Sequence, residues 1–421
     1  MQSDVRGGRA VWVRVIVITA IWALFATMFA LEWRGDRQIW DRVFTVPVMA
    51  RPFADLSQVS AAVESIRHGL NPYVTNPYDM SQRRFIYPRV WLYLFAAAKI
   101  TPQRIIEAGA LVAILYLSAV SWLVWRQQQP WTSVFIGLAA CSSAAAMAVE
   151  RGNTDILIFC LVLVAISIES RGSTWILIAA SILKVYPFFA LLGEAAAGRR
   201  TRLLLLALPL AAAGILAQHG DFTHQENSIP HGYGLKEIDV AMEKASPALK
   251  AGFAAHKLPF RLLWAFVLAT IAGSGVVLGA VLRARTALLA SSRWTYGFVL
   301  CTGIFAGTFL VSTSYDYRLI FLIPMLPFLV DQARAGARRA ARVLGATGVG
   351  LVVFGMNRGT ARPLHPTVLV VLLKAAGHVD LWALLWTVCF FMGAICAARR
   401  RPGVRADSSQ LATGGLVQEP V

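Results

Sequence analysis

Charged side chains are scarce in this chain. Only 15% of its 421 residues are Asp, Glu, Lys or Arg, whereas 57% are hydrophobic, and the mean hydropathy is +0.59. Soluble globular domains carry about 25% charged residues, so this composition excludes that class. The apolar residues come in blocks of about 17–25, long enough to cross the hydrocarbon core of a bilayer as helices.

Acidic residues are scarcer than basic ones, with 22 Asp and Glu against 40 Lys and Arg. The basic residues do not spread over a surface, which excludes a nucleic-acid-binding patch; they cluster at the ends of apolar blocks. The clusters are Arg6 with Arg9, 199–202, Arg283 with Arg285, 334–342 and 399–401. The positive-inside rule places all of them in the cytoplasm.

Cysteines are few, and each of the five lies in an apolar block with no C-x-x-C pair. We therefore interpret them as small buried hydrophobes and expect neither disulfides nor a cysteine-bound metal. No cofactor is expected, and a divalent metal stays open as an alternative.

The apolar blocks predict an all-α fold, a polytopic bundle of about 11–13 transmembrane helices. The predicted spans are 10–31, 87–100, 104–125, 132–149, 155–167, 174–192, 203–217, 258–282, 294–311, 317–330, 341–355 and 381–397. We expect a single domain over 1–401, followed by a disordered cytoplasmic tail at 402–421. Strict alternation from a cytoplasmic N-terminus places two long loops outside, 32–86 and 218–257, the second as a lid with its own surface helix.

One segment of the first outer loop, 52–73, has the apolar spacing of an amphipathic helix. Such a helix lies on a membrane, and Gly69 is expected to end it. Asp55 stands at its start. Either Asp55 caps the helix in a capping box with Gln58, or its carboxylate is a general base for an acceptor hydroxyl at the membrane surface.

Three further groups of polar residues lie at block ends. At the entrance of the second predicted span lie Arg83, Arg84, Tyr87 and Arg89. The arginines bind either lipid headgroups or a substrate phosphate. The turn 150–155 contains Arg151 and Asn153, and strict alternation places it in the cytoplasm. It is either a structural turn or part of a site.

Lys184 lies within the predicted span 174–192, close to Tyr186 and Pro187. A lysine at this depth predicts an anion-binding cavity or a salt bridge to Asp155 or Glu150. Asp316 and Arg318 alternate with two tyrosines, Tyr315 and Tyr317. They form either an interfacial ion pair or a second catalytic carboxylate with a phosphate-binding guanidinium.

In order, the chain has G-L-N-P-Y at 69–73, E-R-G-N-T-D at 150–155, K-V-Y-P at 184–187 and Y-D-Y-R-L-I-F-L-I-P at 315–324. These motifs resemble the GT-C glycosyltransferases, specifically glycosyltransferase family 87, which includes polyprenol-phosphate-mannose-dependent alpha-mannosyltransferases. The resemblance covers about 55–327. A histidine-rich motif of the actinobacterial mannosyltransferases is replaced here by Ser314, Tyr315 and Asp316.

The resemblance implies an inverting transfer of a sugar, with mannose favoured, from a polyprenyl-phosphate donor to a lipid or glycan hydroxyl. The resemblance implies Asp55 as the catalytic carboxylate, with Arg318 and Lys184 as candidates for the donor phosphate. The polar segments themselves add Asp316 as a second catalytic candidate and Arg84 and Arg89 as further phosphate ligands. The expected substrate pocket consists of Tyr73, Tyr87, Tyr186, Tyr315, Tyr317, Arg151 and Asn153.

The expected location is the inner or plasma membrane, with both termini cytoplasmic and the site on the periplasmic or extracellular side. Two other classes remain alternatives: a transporter or flippase of a lipid-linked sugar, and a non-catalytic glycan-binding membrane subunit. Loss of turnover without loss of folding in Asp55→Asn separates the enzyme from both.

Overall fold

The computed structural model describes residues 2–49, 51–196, 201–216, 232–233, 257–282, 292–311, 314–335, 339–357 and 379–399. Within these ranges the regular elements are helices, apart from one pair of two-residue strands, so the helical class is confirmed. The predicted tail 402–421 and most of the loop 218–257 lie outside the described residues.

The α-helices are α1 (Gln2–Trp33), α2 (Ile39–Phe44), α3 (Ala54–Arg67), α4 (Val90–Ala97), α5 (Ile105–Trp125), α6 (Pro130–Ala140), α7 (Ser143–Glu150), α8 (Asp155–Ile168), α9 (Arg171–Leu183), α10 (Phe188–Ala196), α11 (Thr201–Leu216), α12 (Lys257–Leu282), α13 (Ser292–Val311), α14 (Leu326–Ala335), α15 (Arg339–Met356) and α16 (Val379–Arg399). Two 3-10 helices cover Pro102–Arg104 and Asp316–Met325. Strands β1 (Gly232–Tyr233) and β2 (Ser314–Tyr315) pair antiparallel.

Several helices have the length and composition of membrane spans. Four qualify singly: Ala10–Trp33, Pro102–Trp125, Arg339–Met356 and Asp380–Ala397. Helices α6 and α7 qualify together as a fifth span that bends by 54° at its break. Shorter apolar helices, including α8 and α9, pack among them, so the described residues contain fewer complete spans than the sequence predicts.

The predicted span 87–100 is wrong. Its helix, α4, has only eight residues, about 12 Å against a hydrocarbon core of about 30 Å. The helix ends where Lys99 adopts the left-handed conformation at φ 53° and Ile100 N donates to Phe95 O. The segment 87–100 is therefore apolar, but its helix is too short to cross the membrane.

The predicted span 174–192 is also interrupted. Helix α9 ends at Leu183, and Lys184 is extended with φ −149° and ψ 139°. Pro187 disfavours helix at the residue before it and has no amide hydrogen to donate, so α10 starts only at Phe188. Lys184 thus lies in a break between helices rather than inside one.

Hydrogen bonds from two arginines connect helices at one end of the bundle. Arg14 Nη1 of α1 donates to Trp125 O at the end of α5 over 3.0 Å. Arg334 Nη1 donates to Gln129 Oε1, next to the start of α6, over 2.6 Å. The opposite ends of α1, α5 and the α6–α7 pair must therefore lie together at the other end of the bundle.

The turn 150–155 belongs to that other end, together with Asp55, because Asn153 is hydrogen-bonded to Asp55. Its predicted placement across the membrane from Asp55 is therefore wrong. The physical reason is the short helix α4: without a crossing there, α5 and the α6–α7 pair bring the chain back to the Asp55 end.

Close packing of backbones joins α12 to α16. A Cβ on Gly279 would lie 1.8 Å from Phe390 O, and one on Gly393 would lie 2.0 Å from Val276 O. Small residues at helix crossings allow this approach in membranes. Gly273, on the same helix, has no atom within 4 Å of its virtual Cβ.

We therefore expect Gly279→Ala to lower stability by ~1–3 kcal/mol, since one methyl group forces the two backbones apart. The matched control Gly273→Ala should leave the melting temperature in detergent unchanged or slightly higher. Equal melting temperatures for the two variants would contradict the close α12–α16 contact.

Candidate functional site

The start of α3 is fixed to the turn 150–155 by backbone hydrogen bonds. Phe53 N donates to Glu150 O over 2.8 Å, and Asp55 N donates to Arg151 O over 3.0 Å. Phe53 adopts the left-handed conformation, with a φ of 56°. Gly152 has a φ of 58°, and a Cβ there would lie 2.8 Å from Leu56 Cδ1, so glycine is needed both for its conformation and for this close approach.

The Asp55 carboxylate is buried, with 6% of the residue exposed. Arg83 Nη1 donates to Asp55 Oδ1 over 3.2 Å, and Asn153 Nδ2 donates to Asp55 Oδ2 over 2.5 Å. The N-cap interpretation is wrong, because the capping residue of α3 is Phe53 and no side chain caps the helix. The backbone hydrogen bonds to the turn 150–155 fix the start of α3 and direct the Asp55 side chain into the protein.

Arg83 is the residue through which the first loop holds Asp55. Its Nε and Nη2 also donate to Asp79 over 3.1 Å each, and its Nη2 donates to Ala54 O over 2.5 Å. Burial acts to lower the pKa of Arg83, but the hydrogen bonds to Asp79 and the charges of Asp55 and Asp79 raise it above its ordinary value. Arg83 therefore stays protonated.

Arg83, Arg84 and Arg89 are the arginines predicted here as headgroup or phosphate ligands, and Arg83 instead pairs with Asp55 and Asp79. The Arg84 and Arg89 side chains are exposed, and the Arg89 guanidinium lies 5.9 Å from the Tyr73 ring centroid. The sequence signal for Arg83 is its spacing of four residues from Asp79 in a short loop, which allows the two side chains to meet.

Helix α3 is not a simple surface helix. Some of its polar side chains are covered by the segment that follows it, because Gln58 Nε2 donates to Arg84 O over 2.6 Å and Ser65 Oγ donates to Asn76 Oδ1 over 2.8 Å. The segment after the helix folds back over it. The predicted stop is confirmed, since Gly69 follows the helix with a φ of 75°.

A second charged cluster is centred on Asp155, the fully buried first residue of α8. Lys184 Nζ donates to Asp155 Oδ1, and Arg318 Nε lies 3.5 Å from Asp155 Oδ2. The predicted salt bridge between Lys184 and Asp155 is confirmed. One carboxylate therefore lies between two cations.

Asn153 connects the two clusters. Its Nδ2 donates to Asp55, while its Oδ1 accepts from Asp155 N over 2.8 Å. Lys184 Nζ also lies 3.5 Å from Asn153 Oδ1. A single amide side chain thus contacts the Asp55 carboxylate on one side and the cationic cluster on the other.

Tyrosine rings surround the cationic cluster. The Tyr87 ring centroid lies 4.9 Å from Lys184 Nζ, and the Tyr186 ring centroid lies 5.1 Å from Arg318 Cζ. Tyr73 donates its hydroxyl to Tyr87 O over 3.0 Å, and Tyr317 is 4% exposed next to Arg318. The structure therefore brings these four predicted pocket residues to the region of Asp155.

Three predicted site residues remain to be placed: Arg151, Asp316 and Tyr315. Arg151 contributes its carbonyl to α3, and its Nε is buried without a hydrogen-bond partner among the described residues. Asp316 is half-buried at the start of the second 3-10 helix. Tyr315 pairs through its backbone with Gly232, which brings part of the predicted loop 218–257 beside this turn.

Comparison of the chain with protein-family models, curated proteins and solved structures gave no match. In the described ranges, no three His, Cys, Asp or Glu side chains lie close enough together to hold a metal ion.

We expect the buried Asp155 cluster to contribute to the stability of the folded protein. Asp155→Asn leaves two cations facing each other without a carboxylate, and removing one partner of a buried pair costs about 3–5 kcal/mol. Adding Lys184→Met should recover part of this loss. Thermal unfolding in detergent measures both effects.

The exposed ion pair of Asp36 with Arg42 supplies the control for that experiment. Asp36→Asn should change stability by ~0–1 kcal/mol, because solvent screens the pair. An Asp155→Asn variant as stable as Asp36→Asn would refute the buried cluster.

Proposed function

We propose that this chain is a membrane glycosyltransferase of GT-C type. In this proposal it moves a sugar, with mannose favoured, from a polyprenyl-phosphate donor to a hydroxyl of a lipid or glycan acceptor. One observation carries the proposal: Asn153 joins a buried carboxylate, Asp55, to a buried cluster in which two cations, Lys184 and Arg318, flank Asp155.

The two halves of this arrangement match the two needs of the reaction. The acceptor hydroxyl must lose a proton as its oxygen attacks the anomeric carbon, and the leaving phosphate gains negative charge as the glycosyl bond breaks. Asp55 is the proposed base, and the proton ends on its carboxylate. Lys184 and Arg318 are the proposed partners of the phosphate, because preorganised cations stabilise developing charge in a dry site.

Asp55 retains the capacity to accept the substrate proton. Arg83 and Asn153 each donate one hydrogen bond to a different carboxylate oxygen. Each oxygen of an ionised carboxylate has two lone pairs, so a third donor can bind. The same two bonds fix the orientation of the carboxylate, as a general base requires.

Sidedness is inferred from the arginines near short connections, because the positive-inside rule counts these and not the arginines of the long segment 34–104 at the Asp55 end. Arg14 and Arg334 make their contacts at the end opposite Asp55, and Arg126 ends α5 there. The positive-inside rule places this end in the cytoplasm. We therefore infer an outer-facing site in an inner or plasma membrane, which suits a lipid-linked donor.

The other predicted residues take supporting roles in this proposal. Tyr87 and Tyr186 lie against the cations and offer rings for a sugar to stack on. Arg89 and Arg84 lie at the exposed rim, where a phosphate first arrives. Asp316 stands two residues before Arg318 as the second proposed carboxylate.

The test is sugar transfer by the purified full chain in nanodiscs. Short-chain polyprenyl-phosphate mannose, arabinose and glucose serve as donors, and total membrane lipids serve as acceptors. Asp55→Asn should lower release of polyprenyl phosphate by ~10²–10⁴-fold, since it removes the base. Its melting temperature should hold, because Arg83 keeps its bonds to Asp79.

Glu64→Gln is the matched control, since it neutralises a carboxylate of the same helix that pairs with Arg67 and His68 near the surface. This control should transfer sugar at the wild-type rate. A wild type that releases nothing with any donor would overturn the transferase proposal, and an active Asp55→Asn would overturn the role of Asp55.

A further inference from the structure

A largely apolar cavity of about 600 Å³ lies between α1 and α5. This volume falls within the ~300–1,000 Å³ of typical small-molecule sites. Its lining includes Trp22, Phe29, Glu32, Arg37, Phe53 and Ala110. We call this space the α1–α5 groove.

The groove reaches about half-way through the membrane. At its deep end Trp22 Nε1 donates to Ser121 Oγ over 2.9 Å and ties α1 to α5. From Trp22 to Trp33 the helix rises about 16 Å, roughly half of the ~30 Å hydrocarbon core. Trp33 and Ile114 on its rim are exposed, so lipid chains have lateral access from one leaflet.

Glu32 is the unusual member of the lining. It is 8% exposed, and its Oε2 accepts from Trp40 Nε1 over 2.9 Å. Its Oε1 lies 3.9 Å from Arg37 Nε and has no hydrogen-bond partner among the described residues. A buried carboxylate oxygen without a donor is costly, so the groove is suited to a ligand that supplies one.

The groove adjoins the candidate site through Phe53. The Phe53 ring lines the groove and lies 5.7 Å from the Phe29 ring. The same residue binds Glu150 O through its backbone and stands two positions before Asp55. The Phe53 side chain thus lies between a molecule in the groove and the start of α3.

The α1–α5 groove and the Asp155 cluster differ in charge, so they favour lipids with different head groups. The charged side chains of the groove are one carboxylate and one cation, Glu32 and Arg37, which lie 3.9 Å apart. The groove therefore offers a phosphate no net positive charge, whereas Lys184 and Arg318 offer two cations near Asp155. A head group rich in hydroxyls needs no net charge in the lining and can donate to Glu32. The apolar wall accommodates one acyl chain.

We infer that the α1–α5 groove binds the acceptor, an acyl lipid with a hydroxylated, phosphate-free head group that donates a hydrogen bond to Glu32. This assignment of the acceptor rests on the proposed transferase function; the lipid site itself does not.

The test is photo-cross-linking of the full chain in nanodiscs with a monoacylglycerol that carries a diazirine in its acyl chain. Mass spectrometry should locate the label within 22–33 and 106–117. Ala110→Phe, which fills the groove, should reduce that labelling at least about fivefold, as should Glu32→Gln, which weakens the charged hydrogen bond. The matched control Leu111→Phe, on the exposed face of α5, should label as the wild type does.

A phosphatidic acid with the same diazirine chain is the second probe, and it should label these peptides weakly. Label spread evenly over the apolar helices, or equal labelling by both probes with no effect of Glu32→Gln, would overturn the inference. Melting temperatures show which variants are folded. If Ala110→Phe does not fold, Glu32→Gln decides.

The inference and the proposed function fail separately. Transfer that depends on Asp55 without labelling of the groove would overturn the groove site alone. Specific labelling in a chain that transfers no sugar would keep the lipid site and overturn its assignment as the acceptor site.

Discussion

The bridge made by the Asn153 amide is the interaction on which the site depends. Its nitrogen holds the Asp55 carboxylate, and its oxygen holds the start of α8 at Asp155. Asn153 and Asp55 are separated by 98 residues along the chain. Gly152 and the backbone bonds of Phe53 bring the two segments close enough for the bridge to form. Without it, a carboxylate on a loop helix and a buried ion pair would be two unrelated features.

Much of the site follows from the sequence, whereas its arrangement does not. A charged residue in apolar surroundings is costly, and this identifies Lys184 as a candidate, whereas Asp55 and Arg318 are identified by their positions in polar segments at the ends of apolar blocks. The sequence offers Asp155 or Glu150 as the carboxylate for Lys184, and the structure selects Asp155. Hydropathy, however, counts apolar residues and does not measure helix length, so the short α4 is read as a crossing. That error places Asn153 across the membrane from Asp55.

Burial and charge together give the Asp55 end of the bundle two distinct environments. Around Asp155, two cations share one carboxylate beneath tyrosine rings. In the α1–α5 groove, Glu32, with one carboxylate oxygen that lacks a donor among the described residues, and Arg37 are the charged members of a largely apolar lining. Phe53 lies between the Asp155 cluster and the groove, and Asp55 stands two residues after Phe53, in α3. In the proposed reaction this order places the base between a site for the anionic donor and a site for the neutral acceptor.

The most direct measurement is a double-mutant cycle on the rate of sugar transfer with Asp55→Asn and Asn153→Ala. If Asn153 acts by holding Asp55, the double variant should be no slower than Asp55→Asn alone, because the second change removes a bond to a base that is already lost. Losses that simply add would contradict the account, since the two residues would then act independently.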